Sequence, residues 1–525
     1  MNLFDRNTLI KSLKETPEWD ILIIGGGATG LGVAVDAAFR GFRTLLVEQE
    51  DFAKGTSSRS TKLVHGGVRY LAQGNIALVK EALKERGFLM KNAPHLTKNE
   101  SFIIPCFSWV KGIFYATGLK MYDWLAGKKS LGKSKLISKK EVLKRLPAIK
   151  KDFLKCGVLY HDGIFDDARL AINLAQTCVE KGGVTLNYCR VISLVKNQEG
   201  KLCGAKIIDQ ESKEIFTIKA KVIVNATGVF ADEILKMDKP ETKPLIRPSQ
   251  GIHLVLDKSF LQSDDAIMIP HTDDGRVLFA IPWHEKVLIG TTDTPLNSHS
   301  LEPRALESEI EFVLKNAGNY LSKKPGREDV LSVFAGLRPL AASGDESAKT
   351  KEISRSHKII ISSSGLVSVV GGKWTTYRKM AVDMMLKIME RKMLPHKNGN
   401  TEDLQIHGYS TEFKSPSPLS YYGSDEKEIK KLIDENESWA QTLSTHTNII
   451  IAQVVWAVRS EMARTAEDVL ARRTRVLFFD AKLAISLAPK VAEIMMKELN
   501  RDEEWKIDQI NTFRELATGY LLNKT

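Results

Sequence analysis

The sequence predicts an α/β protein with three parts: a dinucleotide-binding domain, a second domain built on an antiparallel sheet, and a C-terminal all-helical domain. Three observations support this fold class. An apolar run at 20–24 leads into a glycine turn and a helix, the order of a βαβ nucleotide-binding unit. Several later apolar runs have the length and the β-branched content of strands. Beyond residue 425 the apolar residues recur at helical spacing.

The first unit begins with Asp20–Ile24, a short apolar run that predicts a buried parallel strand. It stops at Gly25, Gly27 and Gly30, which form a GxGxxG turn. The first glycine permits the tight turn, the second lets the backbone approach a pyrophosphate, and the third lets helix and strand pack closely. The small apolar segment Leu31–Arg40 is the expected helix. This order of features predicts dinucleotide binding.

A second strand, Arg43–Val47, ends at Glu48. A carboxylate at this place accepts hydrogen bonds from ribose hydroxyls and repels a 2′-phosphate, which argues against NADP. The turn residues Ala28 and Thr29 bring N–H groups and the positive end of a helix dipole to the phosphates.

Length, charge and cysteine usage limit the classes of protein to which this chain can belong. A chain of 525 residues is too long for one core, and its excess of 76 basic over 64 acidic residues gives a charge of +12. That charge suits an anionic substrate, an anionic membrane surface or nucleic acid, and does not choose between them. The five cysteines never occur in CxxC spacing, so we expect a reducing compartment and no metal site. The N-terminus has no apolar signal segment, which predicts a cytoplasmic protein.

The segment 105–135 differs from its surroundings because it combines six aromatic residues with six lysines and a single acid, Asp123. One interpretation is an interfacial helix that rests on anionic lipid. The other is that the aromatic residues are core and the lysines form a solvated rim. The sequence leaves both open.

The remaining elements set the domain boundaries. Lys221–Asp232 is an apolar strand ending in Ala-Thr-Gly and is expected to return to the nucleotide-binding sheet, whereas 246–294 predicts an antiparallel sheet over the substrate. Val330–Leu340 and Lys358–Gly372 are expected to complete the first domain. The predicted domains are a discontinuous nucleotide-binding domain (1–95, 165–245 and 330–395), a substrate domain (96–164 and 246–329), a linker (396–424) and a helical domain (425–525).

Six motifs carry a family resemblance: IGGGATG, GTSSRSTKLVHGGVRYL, NATG, GLRPL, GGKWTTYRKMA and EMARTAEDVLARRTR. In this order they resemble FAD-dependent (aerobic-type) glycerol-3-phosphate dehydrogenases, of the D-amino-acid-oxidase-like flavoprotein superfamily. The resemblance implies a Rossmann-like domain that holds FAD tightly. It also implies oxidation of sn-glycerol 3-phosphate to dihydroxyacetone phosphate, with electrons passed to a membrane quinone by an enzyme attached peripherally to the cytoplasmic membrane.

The matching motifs contain the candidate catalytic and substrate-binding residues. Oxidation of a secondary alcohol needs a base for the hydroxyl proton, and His65 is the first candidate, with a structural histidine beside the flavin as the alternative. Arg338 and Lys373 supply positive charges that bind the anionic substrate and so place its reacting carbon at the flavin. Further substrate-binding candidates are Arg69, Tyr70, His253 (also the reserve base) and Arg355.

The FAD contacts follow from the glycine turn and from the motifs. Gly372 opens a helix near Thr375, whose N-terminus favours the negative charge that reduced flavin develops. The serine-rich segment after the second strand is the other candidate, although such loops are usually solvated turns. The residues expected to contact FAD are Gly25, Gly27, Ala28, Thr29, Gly30, Glu48, Thr56, Ser57, Ser58, Lys62, Gly66, Gly67, Val191, Gly228, Gly372 and Thr375.

Two other enzyme classes share this fold. A glycerol-3-phosphate oxidase would pass electrons to oxygen, and by the resemblance it usually carries a mid-chain insertion that this sequence lacks. An amino-acid oxidase of the same fold would bind a carboxylate, for which three arginines and a lysine are excessive. No nucleic-acid partner is expected, and a homodimer is left open. The charged block 464–475 is expected to be an exposed, salt-bridged helix face.

Overall fold

Two sheets and their covering helices make up the chain. The computed structural model describes residues 4–72, 74–341, 357–412 and 417–522, with the side chains at positions 69 and 72 left out. The strands are β1 (Trp19–Ile24), β2 (Thr44–Val47), β3 (Leu63–Val64), β4 (Thr97–Cys106), β5 (Lys135–Ser138), β6 (Cys156–Phe165), β7 (Val184–Leu186), β8 (Cys189–Lys196), β9 (Leu202–Asp209), β10 (Ile215–Asn225), β11 (Ile246–Asp257), β12 (Ala266–Ile269), β13 (Leu278–Trp283), β14 (Lys286–Gly290), β15 (Thr294–Pro295), β16 (Val330–Ala341), β17 (Lys358–Ile361) and β18 (Leu366–Val370). The helices are α1 (Arg6–Glu15), α2 (Ala28–Phe39), α3 (Val68–Ala72), α4 (Ile76–Asn92), α5 (Trp109–Ala126), α6 (Lys139–Arg145), α7 (Asp167–Glu180), α8 (Ala231–Asp238), α9 (Glu307–Tyr320), α10 (Tyr377–Glu390), α11 (Glu426–Glu435), α12 (Ile451–Ser460), α13 (Val476–Phe479), α14 (Ala481–Glu498) and α15 (Glu503–Thr518).

The first sheet has the order β17-β18-β10-β1-β2-β7 and confirms the predicted nucleotide-binding fold. The strand β1 lies between β10 and β2 and runs parallel to both. Its side chains from Ile21 to Ile24 are buried, because helices α2 and α10 cover the sheet and exclude water from it. The carboxyl ends of β1, β2 and β10 therefore meet at one edge, where ligands of such sheets bind.

The second sheet has the order β15-β11-β14-β13-β12-β4-β6-β3, with β16 paired to β11. It confirms the antiparallel sheet expected at 246–294. Val330–Leu340, expected to complete the first domain, pairs within the second sheet, where β16 runs antiparallel to β11 from Ile246↔Ala341 to Leu256↔Val330. An apolar alternating run predicts a strand but does not reveal which sheet it joins, and this run lies between segments of both.

The C-terminal helices confirm the predicted helical domain, and they pack directly on the second sheet. Val255, Leu288 and Phe334 of that sheet share one apolar core with residues of α12, α13, α14 and α15. The helical part is thus anchored by the strands that border the candidate site.

The charged block 464–475 is not an exposed helix face, and that prediction is wrong. Asp468, Arg472, Arg473 and Arg475 are each at most 2% exposed. Arg473 Nη2 lies 2.9 Å from an oxygen of Asp51, which Arg472 also contacts. Because these partners stand more than 400 residues earlier in the chain, local spacing could not reveal them.

Asp167, at the start of α7, joins the same block to the first domain. Its Oδ1 accepts from Arg475 Nη2 at 3.0 Å, and its Oδ2 accepts from Lys62 Nζ at 2.7 Å. The hydroxyl of Ser60 donates to Oδ2 as well, at 2.6 Å. One buried carboxylate therefore ties the segment that follows β2 to the C-terminal helices.

Helix α5 presents a large apolar face to solvent. Val110 and Trp124 are 77% exposed and Phe114 is 68% exposed, although Tyr122 on the opposite face is buried. The exposed residues are Trp109, Val110, Ile113, Phe114, Met121 and Trp124. Their spacing places them on one side of the helix, so the aromatic residues of 105–135 divide between core and surface. Across the described ranges, every helix falls short of the combined length and apolarity needed to cross a bilayer.

Candidate active site

The glycine turn forms the junction between β1 and α2. Gly25 has a φ of 111°, and a Cβ there would lie 2.7 Å from the carbonyl oxygen of Ala226. Only glycine meets both conditions without strain. Gly30 packs directly beneath Gly25, where a side chain would meet the backbone of Gly25. The turn thereby brings unshielded backbone close to the space at the sheet edge.

Glu48 caps this turn from the end of β2. Its Oε2 accepts from the N–H of Gly26 at 2.6 Å, and its Oε1 accepts from the N–H of Glu50 at 2.9 Å. Burial raises the pKa of Glu48 to about 7, against the lowering effect of these two bonds. The carboxyl group is thus held in place beside the position that the ribose of a dinucleotide takes in this fold.

A cavity of about 460 Å³ lies at this edge and is lined by residues of both sheets. Its size is within the range of about 300–1,000 Å³ that is usual for ligand sites. The candidates that line it are Gly25, Gly27, Ala28, Thr29, Glu48, Thr56, Ser57, His65, Gly67, Tyr70, Val191, Gly228, His253, Arg338, Gly372, Lys373 and Thr375. The sequence motifs therefore meet around one space although they lie far apart in the chain.

Four predicted cofactor contacts lie outside the cavity wall. Lys62 is the clearest correction, because its ammonium group is fully buried in the ion pair with Asp167 and faces Ser58 O at 2.8 Å. The side chain of Ser58 is buried too, while Gly66 donates its N–H to Tyr122 Oη at 2.7 Å. Gly30 serves the turn through close packing. These four residues are absent from the lining of the cavity.

Two predicted substrate contacts cannot be placed. The side chain of Arg69 and the whole of Arg355 lie outside the described residues.

The candidate cations Arg338 and Lys373 border the cavity from opposite domains. Arg338 projects from β16, where its Nη2 donates to Thr292 O at 2.8 Å and its Nη1 lies 3.3 Å from Asp293 Oδ1. Lys373 Nζ stands 3.8 Å from the centre of the Tyr70 ring. The backbone and carboxylate contacts fix the direction of the guanidinium group, which can then orient an anion.

The two candidate histidines differ in their surroundings. His253 is buried on β11, stacks on Phe334 with ring centres 5.0 Å apart, and has its Nε2 at 2.9 Å from Thr61 Oγ1. Burial, together with the charges of Lys62 and Arg338, holds the pKa of His253 well below its usual value. Its ring is therefore neutral at physiological pH. His65 is half-buried and lines the same cavity.

The predicted helix N-terminus near Thr375 is present as a 3₁₀ turn, Trp374–Thr376, that continues into α10. Gly371 and Gly372 precede it with φ values of 78° and 88°, a backbone that favours glycine. Trp374 Nε1 donates to Ser57 O at 2.8 Å, which ties this end of the cavity to the loop after β2. The positive end of the helix dipole points at the cavity.

Arg276 also lines the cavity, although it was not among the predicted site residues. It stands just before β13, after an Asp-Asp-Gly turn, where a charged residue at a strand end normally faces solvent. The sequence offered one indication of this role, an arginine just before an apolar strand. That pattern is too common to identify a site residue.

Comparison with known proteins agrees with this geometry. A family model described as FAD dependent oxidoreductase matches residues 20–378, and one described as the C-terminal domain of alpha-glycerophosphate oxidase matches residues 369–506. The mitochondrial glycerol-3-phosphate dehydrogenase of Bos taurus is 38% identical over 97% of this chain and 74% of its own length. That of Saccharomyces cerevisiae is 36% identical over 97% of this chain and 91% of its own length. A crystal structure of the glycerol-3-phosphate dehydrogenase of Bacillus halodurans complexed with FAD superposes with a TM-score of 0.81 at 30% identity, covering 100% of this chain and 99% of that one.

Proposed function

This chain belongs to the family of FAD-dependent glycerol-3-phosphate dehydrogenases, and we propose that it oxidises sn-glycerol 3-phosphate to dihydroxyacetone phosphate and passes the electrons to a membrane quinone. One observation supports the site most directly. A single cavity is bordered both by the dinucleotide turn at Gly25 and by the cations Arg338 and Lys373. A redox cofactor and an anionic substrate therefore have binding groups within the same space.

The residues present suit FAD. The crowding of Gly25 against Ala226 leaves backbone where a pyrophosphate approaches, and Glu48 is held where the ribose hydroxyls lie in this fold. The 3₁₀ turn after Gly372 suits the flavin ring, since its N-terminus favours negative charge. FAD, when bound there, supplies a two-electron acceptor that takes a hydride from carbon.

The chain's own residues bind and deprotonate the substrate in this proposal. Arg338 grips the phosphate through two charge-assisted bonds, and Lys373 adds a compact charge near the hydroxyl. His65 accepts the hydroxyl proton at a ring nitrogen, while the neutral ring of His253 orients the substrate. Fixing both ends of the molecule places its reacting carbon in one position.

An anaerobic titration tests the substrate and the acceptor together. Glycerol 3-phosphate should bleach the flavin absorbance of the purified holoenzyme, and a quinone should restore it faster than oxygen does. Faster recovery with oxygen would favour the oxidase alternative, which the match to an alpha-glycerophosphate oxidase C-terminal domain keeps in view. Bleaching by an amino acid and not by glycerol 3-phosphate would overturn the proposal.

We further propose that the exposed face of α5 rests on an anionic membrane surface, so that the protein is attached peripherally to the cytoplasmic membrane. Apolar residues cover this face, and the exposed lysines Lys111, Lys120, Lys128, Lys133 and Lys135 lie on α5 or just beyond it. Aromatic side chains suit the headgroup boundary, and each lysine near an anionic surface adds about 1 kcal/mol to binding.

Charge reversal at Lys128, Lys133 and Lys135 to glutamate should weaken binding to anionic vesicles by about 100-fold or more, since roughly 3 kcal/mol of attraction is removed. Lys129 is left intact because its Nζ packs 3.3 Å from the centre of the Phe88 ring. The matched control reverses the exposed Lys427, Lys482 and Lys490 on the C-terminal helices or beside them. Co-sedimentation measures both variants. Equal losses in the two would show a general charge effect and would contradict contact through α5.

A further inference from the structure

The backbone beside His65 is tied to helix α5 by a hydrogen bond. The N–H of Gly66 donates to Tyr122 Oη at 2.7 Å. A side chain at position 66 would collide with this oxygen and with the side chain of Leu83, since a Cβ there would lie 2.6 Å from each. Glycine therefore allows the chain next to the candidate base to approach α5 closely.

The hydroxyl group of Tyr122 has a defined direction. It donates to Asp162 Oδ2 at 2.6 Å, so its oxygen is left to accept from the N–H of Gly66. Burial, followed by the charge of Asp162, raises the pKa of Tyr122 well above its usual value of 10. The phenol therefore keeps its proton at physiological pH, and neither bond can reverse.

Asp162 is itself held by Arg86 of α4, whose Nη1 donates to Oδ1 at 2.8 Å. Arg86 Nη2 donates to the carbonyl oxygen of Lys129 at 3.0 Å. Arg86, Asp162 and Tyr122, which we call the support chain, are each at most 2% exposed. Charge-assisted bonds in a buried network restrict the movement of its members. Since Asp162 lines the same cavity as His65, the support chain lies directly beside the site.

His65 lies where regular secondary structure is interrupted. Strand β3 ends one residue before it, and α3 begins three residues after it. Gly66 and Gly67 fill this gap, and Gly67 has a φ of 78°. Glycine gives a backbone little stiffness of its own, so the bond from Gly66 to the support chain restrains the direction of this segment.

We propose that Tyr122 is a positioning residue for the oxidation, because its hydroxyl group holds the N–H of Gly66 and so keeps the His65 ring within reach of the substrate hydroxyl. This inference rests on the proposed function, in which His65 accepts the hydroxyl proton. Tyr122 is absent from the lining of the cavity and acts through His65. It adds no chemical step, since it keeps its own proton throughout.

Stopped-flow reduction of the holoenzyme by glycerol 3-phosphate tests the proposal. In Tyr122→Phe the limiting rate of flavin reduction should fall about 10- to 100-fold, because a displacement of about 1 Å in a reacting group can cost roughly 100-fold. The solvent deuterium isotope effect on that rate should increase, since proton transfer to a displaced base is slower. The Kd of glycerol 3-phosphate should stay at the wild-type value. A higher Kd with an unchanged limiting rate would overturn the proposal.

Tyr520→Phe is the matched control. Tyr520 is 2% exposed, and its hydroxyl donates to a carboxylate oxygen of Glu302 at 2.7 Å, as that of Tyr122 does to Asp162. This variant loses an equivalent bond away from Gly66 and should reduce its flavin at the wild-type rate. Equal losses in Tyr520→Phe and Tyr122→Phe would show a general effect of removing a buried hydroxyl and would overturn the proposal.

A double-variant cycle shows whether Tyr122 acts through His65. His65→Asn alone should slow flavin reduction by about 100-fold or more, the usual contribution of a general base. Adding Tyr122→Phe should then cause no further loss, because the group that the tyrosine positions is gone. The same loss from Tyr122→Phe in both backgrounds would overturn the proposal, and so would a wild-type rate in His65→Asn.

Amide hydrogen exchange tests the contact without turnover. A peptide containing Gly66 should exchange faster in Tyr122→Phe holoenzyme than in wild type, because its N–H has lost its acceptor, and Tyr520→Phe should match wild type. Unchanged exchange in Tyr122→Phe would overturn the proposal whatever the substrate is. Failure of glycerol 3-phosphate to reduce the wild-type flavin would instead count against the proposed function.

Should Tyr122→Phe fail to fold, Asp162→Asn tests the same support chain. The amide keeps the size of the side chain and removes the charge that orients the Tyr122 hydroxyl. The limiting rate of flavin reduction should fall, and exchange at Gly66 should become faster. Wild-type values of both in this variant would overturn the proposal.

Discussion

Replacing Asp51 with asparagine is expected to lower the free energy of unfolding by about 3–5 kcal/mol, the cost of removing one partner from a buried ion pair. Asp51 is fully buried and contacts both Arg472 and Arg473. Arg472 keeps Glu467 and Asp468 as partners. Arg473 keeps the carbonyl oxygen of Glu461 and that residue's carboxylate 3.8 Å away, but it loses the charge of the carboxylate that accepts two of its bonds. A neutral amide of the same size leaves that guanidinium charge buried and poorly compensated.

Urea denaturation of the holoenzyme at neutral pH measures this loss. Asp152→Asn is the matched control, since that carboxylate is exposed, and it should change stability by under about 0.5 kcal/mol. Burial raises the pKa of Asp51, but the two arginines together outweigh burial and lower the pKa from 3.8 to about 2. The stabilising contribution of Asp51 is therefore full above pH 3.8 and is lost as the pH falls to about 2. An Asp51→Asn variant as stable as the control would contradict this account.

Replacing Arg338 with alanine is expected to lower kcat/KM for glycerol 3-phosphate by about 100-fold or more, mainly through a higher KM. Two charge-assisted bonds to a phosphate contribute about 1.5–3 kcal/mol each, and the ground state and transition state both use them. Steady-state kinetics with a quinone acceptor measures the effect, and the flavin content of the purified variant should remain that of the wild type.

Two further variants show whether the loss of activity comes from the charge and geometry of Arg338. Arg338→Lys should recover part of the loss, because a lysine keeps the charge but not the bidentate geometry. Arg514→Ala removes an exposed arginine and should have wild-type kinetics. Since Arg338 also bonds Thr292 O and Gln250 O, thermal unfolding of Arg338→Ala shows whether the site itself has loosened. Wild-type kinetics in Arg338→Ala would remove this residue from the site.

The parts of the site that depend on local sequence were predictable. The turn at Gly25, the helix after it and the position of Glu48 follow from neighbouring residues whose spacing has one structural meaning. The structure confirms each of these elements. Most of the residues that surround the cavity were also predictable, because the motifs that contain them resemble those of one family.

The parts that depend on distant partners were not predictable. Lys62 was expected to contact the cofactor because its segment is polar. Its ammonium group instead forms an ion pair with Asp167, 105 residues away in the sequence. The charges near Arg472 suggested an exposed helix face. No residue close to Arg472 in the sequence indicates that its partner is the buried carboxylate of Asp51. Strand β16 was expected to complete the first domain but pairs with the second sheet, because strand pairing depends on neighbours in space that may be distant in sequence. In each case, the missing information was the identity of a partner.

The bond between Asp51 and Arg472 also sets an order of events during synthesis. The two residues are 421 positions apart, so a ribosome adding about 5–20 residues per second needs roughly 20–80 s to supply the second after the first. Throughout that interval Asp51 has neither arginine, and the loop between Glu48 and Thr56 lacks its final support. Strands β1, β2, β7 and β10 of the first sheet are synthesised by residue 225, although β17 and β18 follow only at 358–370. A nascent chain can therefore pair β1 with β2 and β10, at whose edge the adenosine half of the cofactor is received, long before it can fix the loop beside them. The C-terminal helices then act as the last step in maturation of the site.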